Sequence, residues 1–144
     1  MIRSTTRLTL IAFAFSATAL LLAQERMRPG LWENTVTSGG KSATRSHCLT
    51  ADELAITNGS TEAIRQSMVK AFAKLNNGSC TLKDFKVEGD TISSVMVCGA
   101  SSFASTRTFH GDNVETASTS TTAGVARVSH ITSRRLGACP ATEK

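Results

Sequence analysis

Residues 82–132 decide the fold, and they read LKDFKVEGDTISSVMVCGASSFASTRTFHGDNVETASTSTTAGVARVSHIT. Short runs containing Val, Ile, Phe and Thr alternate here with turns at Gly89, Gly111 and Gly124. Such runs favour β-strands, and short glycine-bearing turns between them favour hairpins. We therefore expect five successive strands, over residues 82–87, 91–98, 103–109, 114–121 and 125–132.

The preceding residues predict another hairpin. Strands are expected over residues 31–37 and 41–48, on either side of the turn Ser38-Gly39-Gly40. Alternation along the first of these strands places Trp32 and Val36 on one face.

A helical insert is predicted to follow this hairpin. Thr50, with Glu53 three residues later, fits a capping box at a helix start. A second helix is expected over 61–75, because its apolar residues recur every three or four positions. These residues are Ile64, Met68, Val69, Phe72 and Leu75. The turn Asn76-Asn77-Gly78 is expected to end the helix.

The order of these elements predicts a mainly β fold with a helical insert, of the α+β class. Short hairpin connections favour an antiparallel meander sheet that curls toward a half-barrel or a small barrel over the helix.

Residues 1–23 have the features of a secretory signal peptide. Arg3 and Arg7 begin the chain with positive charge, and residues 8–23 form an uncharged, mostly apolar stretch that ends at Ala23. A membrane-spanning helix needs about 20 apolar residues, so this stretch is short for an anchor. We expect cleavage before Gln24, no membrane span afterwards, and a single domain over residues 24–144. The expected compartment is the periplasm, with an extracellular location as the alternative.

Composition limits the partners and the stability of the exported domain. Loss of Arg3 and Arg7 with the signal lowers the formal net charge from +5 to +3. This mild and scattered charge gives no support for a nucleic-acid partner. Leu, Ile, Val and Phe make up about 18% of residues 24–144, which predicts a thin core that needs further stabilisation.

Four cysteines can supply that stabilisation: Cys48, Cys80, Cys98 and Cys139. An even number of cysteines in an oxidising compartment predicts two disulfides, each contributing about 2–4 kcal/mol. The sequence contains no C-x-x-C, and the neighbours His47 and Cys48 point to opposite faces of a strand, so we expect no metal site.

The pairing of the cysteines has more than one solution. We favour Cys48–Cys80, which brackets the helical insert, together with Cys98–Cys139. The alternative joins Cys80 to Cys98 across a hairpin centred on Gly89, which leaves Cys48 to pair with Cys139.

Two motifs near the chain ends resemble a known family. The first is Arg28-Pro29-Gly30-Leu31-Trp32-Glu33, and the second is Arg134-Arg135-Leu136-Gly137-Ala138-Cys139. With Cys48-Leu49-Thr50, Cys80 and Cys98 between them, they resemble the exported proteobacterial family called domain of unknown function 3617. The resemblance runs from Arg28 to Cys139, although Ala138 stands where that family commonly has Asp. It implies an exported, disulfide-stapled β domain and brings no activity with it.

The residues that could carry chemistry do not form a recognisable catalytic motif. His47, His110 and His130 are the only histidines, and no G-x-S-x-G nucleophile motif is present. We therefore predict no catalytic residue, no cofactor and no metal. Arg134 and Arg135 should face opposite sides of a strand, with one of them pairing with Glu33 or Glu53.

These observations favour a non-enzymatic binding or interaction module. Its partner would be an unknown envelope protein or small ligand, held at a sheet edge or on the concave face over the helix, and the sequence leaves the oligomeric state open. One alternative is a carrier of a small apolar ligand, whose barrel lumen would be lined by Leu, Val, Ile and Phe. Another is an enzyme with a dispersed site around His130 and Arg135, which requires these side chains to converge.

Overall fold

The structure is a computed structural model, and it describes residues 25–74 and 79–141. The predicted signal peptide, Leu75 and the predicted helix end at Asn76-Asn77-Gly78 lie outside these residues.

Seven antiparallel strands form one sheet, and two helices follow the second strand. The elements in chain order are β1 Gly30–Ser38, β2 Lys41–Leu49, α1 Ala51–Leu54, α2 Thr61–Ala73, β3 Cys80–Glu88, β4 Thr91–Cys98, β5 Ser101–His110, β6 Asn113–Thr122 and β7 Val125–Gly137. The predicted strands are confirmed, with the last one extending five residues beyond its predicted end at residue 132.

The strand order across the sheet is β2-β1-β7-β6-β5-β4-β3. Strands β3 to β7 form the predicted meander, in which each strand pairs with its neighbour in sequence. Strand β1 then lies between β2 and β7, so the first strand pairs with the last. The sheet does not close into a barrel, since β2 and β3 remain as its two edges.

The sheet has two faces of different character. Directly paired residues of antiparallel strands share a face. Trp32 pairs with Arg135 of β7, and we call their side of the sheet the inner face. Glu33 pairs with Arg134, and we call the opposite side the outer face. Val36 shares the inner face with Trp32, as alternation along the strand predicts.

The core lies on the inner face at the end where α1 packs. Trp32 is fully buried, and its cluster contains Met27, Leu54, Phe109 and Val114. Leu54 belongs to α1, so this short helix covers one end of the sheet. The longer helix packs against β3 instead.

Both helices begin at polar caps. The Thr50 backbone N–H donates to Glu53 Oε2 at 2.7 Å, and the Glu53 N–H donates to Thr50 Oγ1 at 3.3 Å. This reciprocal pair confirms the predicted capping box. On α2, Ile64 is buried as expected, whereas Val69 is 43% exposed and lies outside the packed stripe. In the part of the chain that is described, neither helix has the length and apolarity needed to cross a membrane.

Two disulfides are present, and the favoured pairing of the cysteines is wrong. Cys48 bonds to Cys139 with their Cα atoms 5.6 Å apart, and Cys80 bonds to Cys98 with their Cα atoms 4.1 Å apart. Cys80 and Cys98 are direct partners in the β3–β4 hairpin.

The correction follows from the position of β7. This strand pairs with β1, so its end lies beside the end of the β1–β2 hairpin that carries Cys48. Cys139 follows β7 by two residues and therefore reaches Cys48 rather than Cys98.

Candidate functional site

The two end motifs meet on adjacent strands, where they serve the fold. Arg134 Nη2 lies 3.2 Å from Glu33 Oε1, which confirms the expected pairing of one arginine with Glu33. Arg135 Nε donates to the carbonyl oxygen of Pro29 at 2.9 Å. Leu136 is 45% exposed and takes no part in the core cluster. The motifs thus join the start of β1 to the end of β7.

Two further features hold the start of β1 close to its neighbours. A Cβ atom at Gly30 would lie 2.2 Å from the carbonyl oxygen of Gly137, so only glycine lets the two backbones approach this closely. Arg28 Nε donates to Asp112 Oδ1 at 3.1 Å, which fixes the segment before β1 against the β5–β6 turn.

The structure does not bring His130 and Arg135 together. His130 pairs with Thr37 and lies on the outer face, where it lines a shallow cavity of about 170 Å³ with Glu115. Arg135 lies on the inner face beside Trp32. The convergence that the alternative of a dispersed site around His130 and Arg135 requires is therefore not present. Within the described ranges, no three His, Cys, Asp or Glu side chains come close enough to hold a metal ion.

A cavity of about 240 Å³ lies on the inner face beside α1. Five adjacent strands contribute to its wall, together with α1 and nearby loop residues. The lining residues are Met27, Asn34, His47, Leu49, Glu53, Leu54, Thr57, Arg107, Val114, Thr116, Ile131 and Ser133. In a flat sheet the outermost of five strands would lie about 19 Å apart, so the sheet curls around this cavity.

Two charged groups in the cavity wall have shifted pKa values. Hydrogen bonds from the backbone N–H and then the hydroxyl of Thr50 lower the pKa of Glu53, and nearby His47 adds to this effect. Part of the Arg107 side chain is exposed to solvent. The cavity wall nevertheless removes water from around its guanidinium, and this desolvation lowers the pKa of Arg107. Arg107 Nε donates to Thr116 Oγ1 at 3.3 Å and remains a cation at neutral pH.

Charge is sorted between the two faces of the sheet. Strand register places every carboxylate of the described strands on the outer face: Glu33, Asp84, Glu88 and Glu115. The inner face of the same strands carries five cations: Lys41, Arg45, Arg107, Arg127 and Arg135. The inner face is therefore electropositive, and Glu53 of α1 is the carboxylate at its covered end.

A row of five serines crosses the inner face on five adjacent strands. Register aligns Ser38 of β1, Ser129 of β7, Ser118 of β6, Ser105 of β5 and Ser94 of β4. The hydroxyl oxygens of Ser118 and Ser129 are 2.7 Å apart, and those of Ser94 and Ser105 are 3.3 Å apart. We call this set the serine row. Sequence analysis missed it, because the five serines are scattered and align only once the strand register is known.

Beyond the serine row and away from α1, the inner face is open on β5 and β7, whereas Met96 of β4 in the same half is buried. The apolar side chains of this half include Phe103, which is 38% exposed, and Val125, which is 63% exposed. Val36, beside the row, is 39% exposed. The inner face thus combines a cavity beside α1 with an exposed, polar and electropositive surface on β5 and β7.

Comparison with known proteins identifies one family. No curated protein and no solved structure shows significant similarity to this chain. A family model described as "Protein of unknown function (DUF3617)" matches residues 27–139. That match spans both end motifs and all four cysteines, and the chain belongs to this family of proteins of unknown function.

Proposed function

We propose that this protein is an exported, non-enzymatic binding module of the bacterial cell envelope, with the inner face of its sheet as the binding surface. The observation that carries the proposal is the sorting of charge between the faces. A face that gathers cations from several strands, opposite a face that holds the carboxylates, is suited to hold a partner of opposite charge.

The form of the inner face supports binding there. The cavity beside α1 is continuous in the sheet with the serine row, since Thr116 in its wall is two residues from Ser118. Ligand sites are commonly concave, with a few convergent polar groups that fix orientation. His47, Glu53 and Arg107 provide such groups here.

The residues of the sheet faces do not favour the two alternative functions, a carrier of an apolar ligand and an enzyme. A carrier of an apolar molecule calls for a lining of Leu, Val, Ile and Phe, whereas serines and arginines interrupt this lining. An enzyme built on His130 and Arg135 calls for a shared pocket, whereas these residues lie on opposite faces.

Export is supported by the predicted signal peptide and by the disulfides. Disulfides such as Cys48–Cys139 and Cys80–Cys98 form and persist mainly in oxidising compartments, which supports export. Peptide mapping without reduction, on protein purified from the envelope fraction, is expected to find both disulfides and a first residue near Gln24. Free thiols or an uncleaved N-terminus would contradict export.

Binding is tested by recording amide NMR spectra of the ¹⁵N-labelled protein during titration with a small-molecule extract of the envelope. We expect shifts of inner-face residues such as Asn34, Ser129 and Arg107. Lys86 and Glu115 of the outer face serve as the internal reference and should not shift. Shifts confined to the outer face, or none with a concentrated extract, would refute the proposal.

A further inference from the structure

We propose that the inner-face ligand is an acidic glycan, a chain of sugars that carry negative groups. Its oxygen atoms would lie along the serine row, and its negative groups would face Lys41, Arg107 and Arg127. This inference rests on the proposed function, since it names the class of ligand for the same surface.

The serine row offers the hydrogen-bonding groups that sugar hydroxyls need. Each serine hydroxyl can donate one hydrogen bond and accept others. The row spans about 19 Å across five strands, at about 4.8 Å between neighbours. Ser38 is exposed and Ser105 and Ser129 are half-buried, whereas Ser94 and Ser118 are buried and form the floor. The hydroxyls of Ser38, Ser105 and Ser129 each make one hydrogen bond within the protein, and each can still accept another from a polar ligand that crosses the strands.

Three cations surround this row. Lys41 pairs directly with Ser38 and therefore stands at its β2 end. Arg127 precedes Ser129 by two residues on β7, and Arg107 follows Ser105 by two residues on β5. Because β5 and β7 run in the same direction, these two arginines flank the row from opposite sides.

The charges of these cations are not neutralised by the protein. In the described ranges, the ion pairs involve other residues, and none of them includes Lys41, Arg107 or Arg127. By contrast, the outer-face cations Lys86 and Arg134 each pair with a carboxylate. The inner cations are therefore available to a ligand, and their attraction acts over about one Debye length, about 10 Å at 0.1 M salt.

The polar row also disfavours other anionic ligands. An acyl chain laid across it would remove water from the remaining hydrogen-bonding positions of Ser38, Ser105 and Ser129 without replacing it, which is unfavourable. A single-stranded nucleic acid binds mainly by stacking its bases on several aromatic rings. On the inner face of the described strands, Phe103 is the aromatic residue that is exposed. A glycan can use this ring for the C–H face of one sugar.

The test is calorimetric titration of the full, disulfide-intact protein with an oligogalacturonate of defined length. Maltohexaose serves as a neutral glycan, dodecyl phosphate as an anionic amphiphile, and an oligothymidylate as an anionic polymer without sugar acids. We expect saturable binding of the oligogalacturonate alone, weakening as salt is added because the contacts are between charges.

Variants locate the binding to the inner face. The double variant Lys41→Gln/Arg127→Gln should weaken oligogalacturonate binding at least ten-fold. Lys86→Gln removes a similarly exposed cation from the outer face and should change the affinity less than two-fold. Lys41, Lys86 and Arg127 are exposed, so we expect each variant to keep the fold. Urea denaturation of each variant verifies this.

Three outcomes would overturn the inference: no oligogalacturonate binding, equal binding by the double variant, or tighter binding of dodecyl phosphate or oligothymidylate. The extract titration separates this failure from that of the proposed function. If the extract shifts inner-face amides while oligogalacturonate does not bind, the glycan inference fails and the binding face stands. If the extract shifts no inner-face amide and oligogalacturonate does not bind, both the glycan inference and the proposed function fail.

Discussion

Trp32 donates its indole N–H to the carbonyl oxygen of Arg28, four residues earlier, at 2.9 Å. The bond joins the fully buried side chain of β1 to the segment that precedes the strand. Because Arg28 also pairs with Asp112, one short segment connects the core to the β5–β6 turn.

Replacement of Trp32 should therefore cost stability in two separable ways. Trp32→Ala leaves a large cavity and should lower the free energy of unfolding by about 3–5 kcal/mol. Trp32→Phe keeps most of the apolar contact but leaves the Arg28 carbonyl without its donor, with an expected loss of about 1–3 kcal/mol. Urea denaturation measures both. Val125→Ala, at a side chain that is 63% exposed, is the control and should change stability by less than about 0.5 kcal/mol.

Gly30 and Gly137 provide a matched pair for testing the close approach of β1 and β7. Their φ angles are +146° and +147°, so alanine suffers the same backbone strain at both positions. Only at Gly30 would the new Cβ meet other atoms, which are the Gly137 carbonyl oxygen and the guanidinium of Arg135. Gly30→Ala should destabilise the protein by about 1–3 kcal/mol more than Gly137→Ala, as measured by thermal or urea unfolding. Equal losses would show that backbone strain alone makes glycine necessary at these sites.

The two disulfides should contribute unequally. Cys48 and Cys139 are 91 residues apart, whereas Cys80 and Cys98 are 18 apart. Loop-closure entropy then predicts losses of about 4.6 and about 3.2 kcal/mol when each pair is replaced by serine. Urea denaturation of the Cys48→Ser/Cys139→Ser and Cys80→Ser/Cys98→Ser variants tests this order. The reverse order would mean that strain or residual structure outweighs chain entropy.

The capping box should make part of the stability depend on pH. The pKa of Glu53 is lowered from 4.5 in the folded state by hydrogen bonds from Thr50, so its charged form stabilises the fold above that pH. This contribution is lost as the pH falls through the folded-state pKa. The wild type should therefore be more stable than Glu53→Gln at neutral pH, and the difference should vanish in acid.

NMR titration of the Glu53 carboxyl gives an independent readout of the same contact. Thr50→Ala removes the hydroxyl donor while keeping the backbone N–H, so it should move the pKa of Glu53 part of the way back toward 4.5. An unchanged pKa in Thr50→Ala would contradict the role assigned to the hydroxyl.

Local chemistry made much of the fold predictable. The hairpin turns contain Gly39, Gly89, Gly111 and Gly124, all with positive φ, a conformation that glycine adopts without penalty. The cap at Thr50 is equally local, since it depends on a residue three positions away. Signals of this kind lie within a few residues of the element that they define.

Pairing between distant strands has no such local signal. Nothing near Gly30 in sequence indicates that β1 lies beside residues 125–137, so the sequence favoured the wrong cysteine pairs. The strands rich in Ser and Thr also lack clear alternation, which hid the face of each residue. The serine row and the sorting of charge became visible only when register aligned Ser118 with Ser129 and Ser94 with Ser105.

The position of β1 between β2 and β7 has a consequence for how the chain matures. The β1–β2 hairpin comes first among the strands of the chain, and its neighbour β7 comes last, so the hairpin has no other strand to pair with until β7 is present. Strands β3 to β6 can zip together in order, yet they remain a separate sheet until residues 125–137 are present. The single sheet is therefore completed by the last strand in the chain, and a chain truncated before Val125 would lack the strand that pairs with both β1 and β6.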